Sequence, residues 1–90
     1  MAIRFHAHAV TRLMERGATR AEVRATIEKG EPFAAKYNRT RFRRSFPVDP
    51  AWRGRGFVVK YVDAYAIEEG DDWLVSTVVV KYSTVKERDR

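Results

Sequence analysis

The apolar positions change period twice along the chain. Ile3-Arg4-Phe5 alternates and predicts a short opening strand. From His8 the period becomes helical: Val10, Leu13, Met14 and Gly17 fall at i, i+3, i+4 and i+7, with Gly17 where a helix would stop. The spacing predicts a helix over 8–16 with that stripe as its buried face. Thr19-Arg-Ala-Glu22 has the form of a capping box, so a second helix is expected over 19–29, with Val23 and Ile27 as its buried stripe and Gly30 as its stop before Pro32. A joint this short makes the two an αα-hairpin.

Beyond Pro32 the alternation of strands returns. One is expected over about 34–46, where Arg39, Arg41 and Arg43 point one way and Phe42, Arg44 and Phe46 the other. Pro47 and Pro50 end it, and Trp52-Arg-Gly-Arg-Gly56 reads as a basic loop. Two long strands follow over about 57–67 and 73–82, joined by a tight turn at Glu69-Gly70-Asp71-Asp72. A charged, frayed tail is expected over 83–90. The pattern describes a single α+β domain over 1–90: an N-terminal helix hairpin packed on a three- to four-stranded antiparallel sheet.

A turn centred on Gly70-Asp71 pairs Glu69 with Asp72 and, carried down both strands without interruption, sets Lys60 opposite Lys81, Ala64 opposite Thr77 and Ala66 opposite Val75. Tyr61, Tyr65 and Ile67 then face Val80, Ser76 and Leu74 on the other side. On this register Lys60, Thr77 and Lys81 share one face, with Tyr82 next along. Two like charges directly opposite cost stability unless an anion or solvent lies between them.

Composition adds a partner class. The 90 residues include 18 Lys or Arg and 12 Asp or Glu, a formal charge of +6, with 44% hydrophobic residues, enough for a packed core. The balance is uneven: residues 1–60 hold 14 basic and 5 acidic side chains, whereas residues 61–90 hold 4 and 7. Arginine dominates, 13 against 5 lysines, and its planar fork suits phosphate better than the point charge of an ammonium. Such a footprint fits a nucleic-acid ligand, although a soluble Arg-rich surface would look similar. There is no cysteine, which excludes disulfides, thiolate metal sites and Cys nucleophiles. No metal site or cofactor is expected, and Glu68, Glu69, Asp71 and Asp72 read as turn chemistry. Apolar runs such as Val78–Val80 are too short for a membrane span, and no signal peptide is visible, so a cytoplasmic monomer or homodimer is expected.

Three constellations could carry chemistry. His8, Arg12 and Arg16 form a slanted row on the first helix, 40° apart in steps, opposite the Val10–Leu13–Met14 stripe. Imidazole titrates near neutrality and can shuttle the proton of an RNA 2′-hydroxyl, while guanidiniums hold the phosphate and stabilise the charge that develops on it. The same row is also what the solvated face of an amphipathic helix carries. Lys60, Thr77 and Lys81 with Tyr82 form the second set, which would otherwise be ordinary strand-surface residues. Arg39, Arg41, Arg43 and Arg44, with Arg53 and Arg55 beyond them, form the third; basic residues interleaved with an aromatic suit RNA backbone contact and base stacking, or simply protect an edge strand. His6, in the entry to the first helix, is a capping or core histidine or a second-choice catalytic one.

The segments His8-Ala-Val-Thr-Arg12-Leu-Met-Glu-Arg16-Gly17, Lys60-Tyr-Val-Asp-Ala-Tyr65-Ala-Ile-Glu68 and Trp73-Leu-Val-Ser-Thr77-Val-Val-Val-Lys81-Tyr82 together resemble the domain-of-unknown-function family 4258, over roughly residues 3–82. Leu13 stands where that motif commonly has Met, an exchange within the core. The resemblance implies a RelE-like, barnase–EndoU–colicin ribonuclease-type fold and an RNA-cleaving toxin of a toxin–antitoxin pair, with an acidic antitoxin as protein partner. It carries His8, Arg12, Arg16, Lys60 and Thr77 as site residues and keeps Tyr82 in reserve, since RelE-type nucleases can work with Arg, Lys and Tyr. The expected activity is metal-independent cleavage of RNA by 2′-hydroxyl attack; the alternative is a non-catalytic basic module that binds nucleic acid or a partner. A structural role in a larger assembly is a third reading.

Overall fold

The computed structural model describes residues 1–84, so the tail expected beyond residue 84 lies outside the described residues. The elements in chain order are β1 (Ile3–Phe5), α1 (Ala7–Arg16), α2 (Arg20–Lys29), β2 (Glu31–Ala35), β3 (Arg39–Pro47), α3 (Pro50–Arg53), β4 (Val59–Glu69) and β5 (Asp72–Ser83). The class is α+β, as the pattern predicts. The sheet, however, has five strands in the order β1-β5-β4-β3-β2, and it is mixed. β1 runs parallel to β5, whereas the other neighbours are antiparallel, which corrects the expected three- to four-stranded antiparallel sheet.

One extra strand comes from the segment expected as a single strand over 34–46. It is a hairpin, because Tyr37 and Asn38 both take left-handed backbone angles (φ 63° and 60°) and reverse the chain between β2 and β3. Asparagine favours that region and tyrosine does not, so the turn carries only half of its usual signature. Likewise, the basic loop at 52–56 begins inside α3, a single turn with Pro50 at its start.

Both long helices end as predicted. The Thr19 hydroxyl accepts from the Glu22 amide and the Glu22 carboxylate accepts from the Thr19 amide, each at 3.0 Å. Gly17 closes α1 in the left-handed conformation (φ 78°) and donates its amide to the Leu13 carbonyl. Gly30 is needed for a different reason. A Cβ there would stand 2.3 Å from the Thr26 carbonyl oxygen and 2.7 Å from that of Arg43, so the end of α2 comes within glycine's reach of β3.

The helices cover one face of the sheet. Ala9 and Leu13 of α1 and Val23, Thr26 and Ile27 of α2 pack against Ile3, Phe42, Val62, Ala64, Ala66, Val75 and Val78, with the Phe42 and Trp73 rings edge to face at 5.0 Å. Alanines at the centre of β4 let the helices sit close. The buried side of α1 therefore centres on Ala9 and Leu13 and not on the Val10–Leu13–Met14 stripe: Met14 is 72% exposed. The small Ala9, completely buried, gives a closer approach to the sheet than the bulkier pair would.

The register of β4 and β5 decides which residues share a face. Glu69 pairs with Asp72 and Ala66 with Val75, as expected. A β-bulge between Tyr65 and Ala66 then inserts Ser76, whose hydroxyl donates to the Tyr65 carbonyl at 3.1 Å. Below the bulge the pairing slips by one, so Lys60 faces Tyr82, Tyr61 faces Lys81, Ala64 faces Val78 and Tyr65 faces Thr77. The expected Lys60–Lys81 and Ala64–Thr77 pairs do not form, because one extra residue exchanges the faces of everything after it.

Candidate functional site

The slip divides the expected second constellation between two faces. Lys60 and Tyr82 lie under the helices. Thr77 and Lys81 lie on the opposite, uncovered face, joined there by Arg39, Arg41 and Arg43. Neither of the two groups that result is the set expected from the sequence.

On the covered side, Lys60 is only 8% exposed and its cation is committed. Its ammonium lies 2.8 Å from the Glu22 carboxylate and donates to the Gly17 carbonyl at 3.3 Å, tying the α1–α2 joint to β4. Arg16 is likewise engaged, donating from Nη1 to the Val78 carbonyl at 2.8 Å. The Tyr82 ring stacks on Trp52 at 4.2 Å and meets Phe57 edge to face, which fastens α3 to the end of β5. Arg55 sits over the Trp52 ring, Arg53 is exposed on α3, and Arg44 lies over Phe46 on the helix side of β3.

His8 and Arg12 remain accessible on α1. His8 Nε2 accepts from Arg12 Nε at 3.3 Å, and Arg12 also reaches Glu15 at 3.5 Å. An imidazole nitrogen that accepts from a guanidinium has its lone pair directed at the group that would hold a phosphate. His6 takes the capping role: its Nδ1 accepts from the His8 amide at 3.1 Å. Of the expected catalytic set, then, His8 and Arg12 are joined directly, Arg16 and Lys60 act as ties, Tyr82 is stacked, and Thr77 is on the other side of the sheet.

The uncovered face has a regular grain. One row crosses four strands as Phe33, Arg41, Tyr65 and Thr77; a second runs Glu31, Arg43, Asp63 and Val79; a third runs Ser45, Tyr61 and Lys81. Guanidiniums lie over the rings: Arg41 over Phe33 at 4.5 Å, Arg39 over Tyr65 at 5.1 Å and over Tyr37 at 5.6 Å, and Arg43 over Tyr61 at 5.7 Å. Tyr37, at the tip of the β2–β3 turn, is 82% exposed. A shallow depression lined by Ala34, Ala35, Lys36, Arg39, Arg41 and Tyr65 lies beside it.

Arg43 differs from its two neighbours. It grips Asp63 with two bonds, Nε to Oδ1 at 2.7 Å and Nη2 to Oδ2 at 2.9 Å, and the Asp63 side chain is 3% exposed. That fork neutralises a buried carboxylate, so Arg43 contributes to the sheet before it contributes to any ligand. Among the described residues no buried side-chain polar atom lacks a partner, and no three His, Asp or Glu side chains are grouped as metal ligands. The acidic turn holds β1 in place: Glu69 pairs with Arg4, and Asp72 accepts from the Ala2 amide at 3.0 Å.

Phe33, Tyr37, Tyr61 and Tyr65 belong to this surface although none is among the site residues expected from the sequence. Their signal was present in the alternation, since Tyr61 and Tyr65 share a parity. The role of Phe33 and Tyr37 depends on the β2–β3 turn. No protein-family model, curated protein or solved structure matches the chain. No described helix is long and apolar enough to cross a membrane.

Proposed function

We propose that the protein binds single-stranded RNA across the uncovered face of its sheet. The observation that carries this reading is the placement of Arg39 and Arg41 over Tyr37, Tyr65 and Phe33 on a face that no described helix covers. A guanidinium already held over a ring loses less freedom on meeting a phosphate than one waving in solvent. Bases stack on aromatic side chains with little sequence preference, and a single strand can splay its bases onto a sheet where a duplex cannot. Thr77 and Lys81 extend the same surface toward β5. On this reading the protein works in the cytoplasm, alongside its RNA.

Fluorescence anisotropy with a labelled single strand of about a dozen nucleotides tests this reading. The double variant Arg39→Ala, Arg41→Ala is expected to bind about tenfold or more weakly, with a shallower dependence on salt. Equal binding by the variant, or a preference for duplex of the same sequence, overturns it.

A second reading is a metal-independent endoribonuclease, the toxin of a toxin–antitoxin pair, favoured by the His8–Arg12 hydrogen bond. In that reaction Arg12 turns from His8 to the scissile phosphate, and the freed His8 Nε2 takes the 2′-hydroxyl proton. The P–O2′ bond forms as the P–O5′ bond breaks, the leaving 5′-oxygen taking a proton from water and a 2′,3′-cyclic phosphate remaining. A RelE-like arrangement is supported by a helix pair on one face of a sheet whose four longer strands are antiparallel. RNA incubated with the protein in chelator should be cut, and His8→Ala and Arg12→Ala should each lose product while the strand stays bound. Intact RNA removes this reading and leaves the first untouched.

A further inference from the structure

We propose that the outer edge of β5, beyond β1, receives an extended acidic segment of a protein partner by strand addition. β5 has twelve residues, and β1 pairs with only three of them, Trp73, Leu74 and Val75. From Ser76 to Ser83 no strand lies beside that edge among the described residues. The proposal does not depend on the RNA reading, which concerns a face and not an edge.

The bulge determines which backbone groups the edge presents. Above it, Trp73 and Val75 direct their backbone outward: the Trp73 amide donates to the Ala2 carbonyl at 2.9 Å, and the Val75 carbonyl accepts from the His6 amide at 3.0 Å. Ser76 then shifts the alternation by one, so Val78, Val80 and Tyr82 present their amides and carbonyls outward. The Arg16 bond to the Val78 carbonyl marks that direction. The remaining outward groups form a template of the kind that proteins usually cover or blunt.

The occupant is argued from charge. Arg16 reaches the edge itself; His8 and Arg12 lie on the same flank of α1, in steps of 40°, and the exposed Lys81 projects from β5. A strand seated there meets cations from both sides, so carboxylates on alternate residues fit and lysines do not. The same cations oppose a second copy of this chain, since pairing β5 with β5 would bring two Arg12–Arg16 rows together in a protein of formal charge +6. On docking, the Arg16 guanidinium exchanges the Val78 carbonyl for a carboxylate and releases that acceptor to the incoming strand.

An eight-residue peptide of alternating valine and glutamate serves as the probe, with amide hydrogen exchange and titration as the measurements. The expected result is protection of the Val78, Val80 and Tyr82 amides. Binding should fall at least tenfold for the valine–lysine peptide and for the same acidic peptide N-methylated on the edge it presents. Val80→Pro removes an outward amide without breaking the β4 ladder, so the folded variant should lose the peptide and keep its RNA affinity. Should that variant fail to fold, the N-methylated peptide decides alone. Protection elsewhere, undiminished binding of the N-methylated peptide, or a wild-type dimer that excludes the peptide from the β5 edge overturns the proposal.

Discussion

The two faces of the sheet carry similar side chains and use them differently. Under the helices, Lys60 and Arg16 spend their charge on Glu22 and on two backbone carbonyls. On the open side, Arg39 and Arg41 rest over rings, Arg39 also donates from Nε to the Lys36 carbonyl at 3.2 Å, and among the described residues no carboxylate pairs with either. A count of basic residues does not separate these cases. What separates them is whether the cation is buried against a carboxylate or a strand carbonyl, or is positioned by an aromatic ring at the surface, where Arg41 and the Nη groups of Arg39 keep hydrogen-bond donors available.

Arg43 is the sharpest place to test that contrast, because it sits on the open face yet behaves like a covered residue. Arg43→Ala leaves Asp63 as a buried unpaired carboxylate and is expected to cost about 3 kcal/mol, read as a shift in urea midpoint. Arg41→Ala, one residue pair away, should stay within about 0.5 kcal/mol of wild type and weaken RNA binding instead. If both variants unfold alike, the distinction between committed and available arginines fails.

On the covered side, Gly30→Ala is expected to cost about 2 kcal/mol, since its Cβ must push backbone oxygens of α2 and β3 apart. Lys60→Met should cost less, about 1 kcal/mol, because Glu22 keeps 23% of its side-chain surface in contact with water. The smallest effect belongs to Met14→Ala, below about 0.5 kcal/mol, whereas Leu13→Ala should lose several times that amount in the same denaturation experiment. A larger loss at Met14 than at Leu13 would restore the stripe read from the sequence.

The parts of this fold that depend on local chemistry were legible. The Thr19–Glu22 box, the Gly17 stop, the turn at Gly70 and the parity of Arg39 to Phe46 each follow from groups a few residues apart. What escaped depends on contacts between distant segments. The parallel pairing of β1 with β5 joins residues some seventy positions apart, and three residues of alternation cannot announce it. The face of α1 was misread because large apolar residues outvote a small one in a periodicity argument, while close packing favoured Ala9. The Ser76 bulge has no glycine to mark it, and every register inference beyond it inherited the error. For the candidate site, this means that the residue types were legible and their grouping was not.

That bulge gives β5 something akin to a reading frame. Either side of Ser76 the strand keeps one alternation, since Val75 and Val78 face the helices while Thr77 faces out, and only the parity of the numbering changes. Removing Ser76 alone would close the bulge and leave Thr77, Val79 and Lys81 outward and Val78 and Val80 beneath the helices. Removing a residue far from it instead forces the residues between that gap and the bulge onto the wrong face. Ser76 is therefore the position at which β5 can lose a residue and keep its phase. A library of single-residue deletions along β5 should read as a map of phase, in which the damage is least at Ser76 and grows with distance from it.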